Sequence, residues 1–105
     1  MSAGPVVVTA VFRPRTGARA QLIEAMRRGI EAVHAEPGCE VYAIHDADDG
    51  TVTMIEKWSG VAELDAHAAG EAIAVLNHDI EPFLASPVVV TRMMPLPMGT
   101  AAGRL

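Results

Sequence analysis

Side chains able to move a proton or hold an aromatic ring are sparse in this sequence, with four histidines, one tryptophan and one tyrosine. His67 is the leading candidate for a base or proton relay, because an imidazole titrates near neutral pH. Tyr42 could donate its hydroxyl to an oxygen of a bound molecule. Glu56 and Trp58 are two residues apart, so in a strand both point to one face and could enter one cavity, where the indole could stack on a ring. His78 follows His67 by eleven residues, which is about 20 degrees around an unbroken helix, so it could join His67 only if the helix survives Gly70. Each residue also has an ordinary structural reading. His67 could be held by a neighbouring strand, Trp58 could be core packing at a strand end, Tyr42 a buried tyrosine satisfied by backbone, and Glu56 a paired or exposed carboxylate.

No two histidines show the i, i+4 spacing of a helical metal site, so no metal is expected. His34 and His45 read as solvated. The single cysteine, Cys39, has no partner for a disulfide or a Cys-x-x-Cys motif and reads as a small buried apolar residue.

The elements that must position these groups follow from the hydrophobic pattern. Val6 to Arg13 is rich in β-branched residues and stops at Pro14, which predicts a strand. Thr16 is a candidate helix cap, and from Ala18 to Glu36 the apolar residues Leu22, Met26, Ile30 and Val33 recur at helical spacing. Pro37-Gly38 ends that helix. Cys39 to Asp46 and Thr51 to Trp58 predict two antiparallel strands joined at Asp48-Asp49-Gly50. Ser59 or Gly60 caps a second helical region in two pieces, Val61 to Ala69 and Glu71 to Leu84, broken at Gly70 and ended or kinked by Pro82. Val88 to Met94 predicts a fourth strand. Residues 1–95 form one domain in this reading, and residues 96–105, with Pro97, Gly99 and Gly103, form a flexible tail that could strap a partner.

The chain has 105 residues and a formal charge of −5, with scattered basic residues, so nucleic acid is not an expected partner. No apolar run is long enough for a bilayer and no basic segment precedes the first one, which gives a cytoplasmic, membrane-free expectation. Two helices can cover only one face of a four-stranded sheet. Yet both alternating sets of the first strand are largely apolar, Val6, Val8 and Phe12 on one side and Val7 and Val11 on the other. A second copy of the chain is the simplest cover, giving a homodimer, and a pocket could remain between the sheet and its cover.

The stretch from Glu36 to His67, EPGCEVYAIHDADDGTVTMIEKWSGVAELDAH, resembles the core signature of the antibiotic biosynthesis monooxygenase domain family, within the dimeric α/β-barrel superfamily. The matching parts are Glu-Pro-Gly-Cys after the first helix, Tyr42, Glu56-Lys57-Trp58, and the Leu-Asp-Ala-His that ends at His67. The resemblance spans about Val6 to Met94. It implies an α+β, ferredoxin-like β-α-β-β-α-β domain with a four-stranded antiparallel sheet, paired into a dimer, with a pocket between each sheet and its helices.

Characterised relatives include cofactor-independent monooxygenases that oxidise anthrones or quinols with molecular oxygen. Oxygen is a triplet and reacts slowly with closed-shell molecules, so such chemistry needs a substrate that becomes an electron-rich anion, a group that takes its proton, and a dry pocket. The resemblance therefore implies an oxidoreductase that uses O2 and no cofactor on a small quinol-like or polycyclic phenolic substrate. His67 would be its catalytic residue, and Tyr42, Glu56, Trp58 and His78 would contact substrate. A non-catalytic, small-molecule-binding or stress-related dimer is the alternative. Haem degradation fits less well, because the positions where that branch carries Asn, Trp and a ligating His fall at Ala10, His67 and Asn77.

Overall fold

Three consecutive valines open the first strand, β1 (Val6–Phe12), and side-chain alternation along it defines the two faces of the sheet. The computed structural model describes residues 4–105, so the first three residues of the expected 1–95 domain lie outside the described residues. The remaining strands are β2 (Cys39–Asp46), β3 (Val52–Trp58) and β4 (Val89–Met93), and the sheet order is β2-β3-β1-β4 with every neighbouring pair antiparallel. This is the ferredoxin-like α+β fold.

The first helical segment starts later than Thr16 suggests. The chain turns at Gly17, whose φ is +78°, and Ala18 donates its amide to the Arg15 carbonyl, so Thr16 stays in the turn. Ala18 takes the cap position without a side-chain hydrogen bond. The expected single helix is divided into α1 (Arg19–Ala25) and α2 (Arg27–His34). At Met26 the amide is shared between the Leu22 and Ile23 carbonyls, both at 3.2 Å, a local tightening that leaves the apolar stripe intact. Leu22, Met26 and Val33 all remain fully buried.

Beyond the β2–β3 hairpin, where Gly50 takes a φ of +88° and Asp49 accepts hydrogen bonds from the Thr51 amide and hydroxyl, the chain enters α3 (Val61–Ala68) and α4 (Glu71–Ile80). Gly70 separates the two in an extended conformation, as its position between them suggests. Pro82 falls in a short 3₁₀ turn, Glu81–Phe83, and not in an α-helix reaching Leu84. The reason is proline's missing amide, which cannot continue the ladder. No helix among the described residues is long and apolar enough to cross a membrane.

All four helices lie on one face of the sheet. That face carries Val6, Val8, Ala10 and Phe12 of β1 and Val52, Met54, Glu56 and Trp58 of β3, all buried. The opposite face carries Val7, Val11, Ile55, Val89 and Met93, and no helix among the described residues lies over it; Val89 is 62% exposed, although Val7 near the start of β1 is buried. After β4 the chain runs past Pro95 and Pro97 to a 3₁₀ turn at Ala101–Gly103, with Leu96 and Met98 exposed.

Candidate active site

Strand register places the polar groups of the helix-covered face in one line. Tyr42 of β2 pairs with Glu56 of β3, Glu56 with Val8 of β1, and Val8 with Arg92 of β4. Residues paired across strands share a face, so these four form a single transverse row across the whole sheet. Above the row, α3 and α4 contribute Leu64, His67, Leu76 and Asn77. Between floor and roof lies a cavity of about 480 Å³, a size suited to a small molecule. Its walls are mainly apolar, and Ala10 on the floor leaves room where a larger side chain would fill the space. The helices stop short of β4, where Val90 is 60% exposed although it lines the cavity, so the mouth opens beneath that strand.

His67 is only 5% exposed and sits among aromatic rings. Its ring centroid lies 4.5 Å from that of Trp58, tilted by 31°, and 5.5 Å from that of Tyr42, which approaches edge-on. Its Nδ1 donates to Glu36 Oε1 at 2.7 Å. A carboxylate can only accept, so the proton of the neutral ring resides on Nδ1 and the lone pair on Nε2. No buried side-chain nitrogen or oxygen among the described residues lacks a partner. Nε2 of His67 and the Tyr42 hydroxyl bond to none of these residues, so neither atom is fully enclosed; both residues line the cavity, and His67 also borders a smaller pocket beside Glu36 and Pro37. A ring that can accept and a phenol that can donate thus belong to residues lining one mainly apolar chamber.

Glu36 was not singled out by sequence reasoning. It lies in the turn between α2 and β2, thirty-one residues from its partner. What delivers it is the Pro37-Gly38 turn: Gly38 takes a φ of +80° and packs so closely on α3 that a Cβ there would collide with the Glu63 side chain. The Ser59 amide also bonds the Gly38 carbonyl at 2.9 Å, tying this turn to the end of β3. The available signal was a carboxylate immediately before a helix-ending Pro-Gly, which says nothing about the partner.

The other expected residues divide. Glu56 lines the cavity, and its Oε1 accepts the Trp58 indole N–H at 2.9 Å. Burial pushes the Glu56 carboxyl above its ordinary pKa, against the opposing effects of the Trp58 hydrogen bond, His67 and Arg92. Burial also raises the Tyr42 phenol, with the Glu56 charge adding to it, so Tyr42 stays protonated and able to donate. Trp58 is 0% exposed and does not line the cavity; it backs His67 and Glu56. His78 is exposed on α4 and is not brought to the cavity, whereas its neighbour Asn77 is. The interruption at Gly70 breaks the continuous helix that would have put His78 in line with His67. His34 and His45 bond the Tyr42 and Thr53 carbonyls, respectively, away from the cavity. Ala10, His67 and Asn77 all line it.

The sequence profile of the family described as antibiotic biosynthesis monooxygenase matches residues 5–77. Rv0793 of Mycobacterium tuberculosis, which carries monooxygenase in its name as a provisional assignment, is 32% identical over 98 residues, covering 92% of this chain and 97% of its own. Its solved structure superposes with a TM-score of 0.81 at 30% identity, covering 92% of this chain and all of that one. SO0527 of Shewanella oneidensis is 28% identical, with a TM-score of 0.76 over 88% of this chain and 91% of its own. A Caulobacter crescentus protein at 19% identity shares the fold, with a TM-score of 0.79 over 87% of this chain and 89% of that one.

Proposed function

The chain belongs to the antibiotic biosynthesis monooxygenase family, and on that premise we propose that it is a cofactor-independent monooxygenase acting with O2 on a quinol-like or polycyclic phenolic molecule. The observation that carries this reading is the Glu36–His67 pair in the lining of an apolar cavity, with Nδ1 committed to the carboxylate and Nε2 without a partner among the described residues. A phenolic or enolic proton passes to Nε2, and Glu36 supports the resulting imidazolium. The substrate anion is electron-rich enough to reduce O2. One oxygen atom forms a C–O bond at the activated carbon, and the O–O bond of the resulting hydroperoxide then breaks. For an anthrone, CH2 and O2 become C=O and one water, which balances atoms and electrons without a further reductant.

Tyr42 donates to the substrate oxygen that gains charge, and Glu56, held by Trp58, shapes the polar end of the chamber. The exposed apolar sheet face supports a homodimer as the working form, with the second copy covering Ile55, Val89 and Met93.

Oxygen uptake tests the reading. Metal-stripped protein is expected to accelerate O2 consumption with at least one member of a panel of hydroquinones and anthrones. His67→Ala is expected to lose about 10²–10⁴-fold of that rate, the usual scale for a general base. A flat response across the panel favours a binding protein without turnover.

A further inference from the structure

The transverse row on the cavity floor ends in a group the proposed oxidation does not use. Arg92 lies on β4 in register with Val8, two strands from Glu56, which puts its Cα roughly 10 Å from that of Glu56 at ordinary strand spacing. Among the described residues lining the cavity it is the one Lys or Arg side chain. Its Nη1 donates to Asp65 of α3 at 3.0 Å, and this ion pair bridges strand and helix beside the mouth, with side chains 49% and 60% exposed. A pair that exposed contributes little on its own, so a ligand acid can replace Asp65 at low cost. A guanidinium also binds a planar carboxylate through two parallel hydrogen bonds.

We propose that the cavity selects a fused-ring phenol bearing a second acidic group, a carboxylate, at the end remote from the reacting hydroxyl, and that Arg92 is the residue that recognises it by exchanging Asp65 for the ligand. The proposal rests on the aromatic-substrate reading above and narrows it. The polar reacting end lies at Tyr42, Glu56 and His67; the middle of the floor is Val8 and Ala10; the cation sits at the mouth. A single ring cannot reach both ends of that row, and a fused-ring skeleton can. The raised pKa of buried Glu56 reduces the negative charge on the floor that would oppose an anion. Glu81, the other carboxylate in the lining, is exposed to solvent screening at the end of α4.

Binding separates this proposal from the reaction. A dihydroxyanthraquinone carboxylic acid and its methyl ester, already oxidised and therefore not turned over, can be titrated while following fluorescence of Trp58, the single tryptophan, which stacks behind His67. The acid is expected to bind about tenfold tighter than the ester, the scale of a charge-assisted hydrogen bond. Arg92→Gln should erase the preference, Asp65→Asn should widen it by removing the competitor, and added salt should narrow it. Both side chains are exposed enough for the variants to fold, and thermal unfolding checks that they do. Equal affinity for acid and ester, or a preference unchanged in Arg92→Gln, overturns the proposal. If the preference and its dependence on Arg92 hold but no substrate drives O2 uptake, acid recognition stands and the oxidation falls. Rapid uptake with no preference for the acid has the opposite meaning.

Discussion

A carboxyl group buried beside Trp58 and facing an apolar chamber is costly to ionise, and Glu56 pays that cost in the folded state. In the unfolded chain it titrates near the ordinary value of about 4.3. Folding raises it, so over a window above about pH 4 the native protein keeps a proton that the unfolded chain has released, and stability falls as pH climbs through that window. Glu56→Gln retains an oxygen for the indole N–H and cannot ionise. Denaturation should therefore show the variant gaining on the wild type as pH rises above about 4, with the difference closing at lower pH. A wild type that gains on the variant as pH rises would mean that the carboxylate is stabilised in place. At this scale the sequence reveals some partners and hides others. Glu56 and Trp58 share a face by the two-residue period, which a reader can count. The Glu36–His67 bond and the row ending at Arg92 depend on how a turn meets a helix and how strands align, neither of which local spacing encodes.

Helix packing decides whether the cavity has a roof. Gly29 of α2 lies against Leu76 of α4 so closely that a Cβ there would be 2.7 Å from the Leu76 Cβ and 2.9 Å from its Cα, with backbone on one side that cannot rotate away. The same two helices are bridged by the Arg28–Asp79 ion pair at 2.6 Å. Gly29→Ala should lower unfolding stability by about 1–3 kcal/mol, the range for overpacking, despite alanine's better helix propensity. Chemical denaturation measures it, and a stabilised variant would show that the helices separate easily. Most elements are legible in advance, because β1 is built from valines, Pro37-Gly38 and Gly70 punctuate the helices, and Asp49-Gly50 makes a tight hairpin. The break at Met26 is not legible, since the apolar stripe runs through it unchanged and only the shared amide at Leu22 and Ile23 reveals it. His78 is the opposite case, since the break at Gly70 that keeps it from joining His67 is readable in advance, whereas the arrival of its neighbour Asn77 at the cavity is not.

For the molecule as a whole, the proposed second copy rests on an apolar sheet face left bare by its own helices. Ile55 sits on that face on a central strand, beside Thr9 of β1 and Ala43 of β2. Ile55→Lys would bury an unpaired charge between stacked sheets, and light scattering should then report monomer where the wild type gives dimer. A wild type that is already monomeric at micromolar concentration would remove the proposed cover. In the proposed reaction, His67 takes a proton from a bound phenol before oxygen arrives. Mixing the protein with an anthrone under strictly anaerobic conditions at neutral pH and recording its visible spectrum tests that step by itself. The red-shifted band of the substrate anion should grow in with the wild type, weaken in Glu36→Gln and be absent in His67→Ala. A band of equal strength in His67→Ala, or none with a wild type that nonetheless consumes oxygen with the same substrate, would contradict the assignment of His67 as the base.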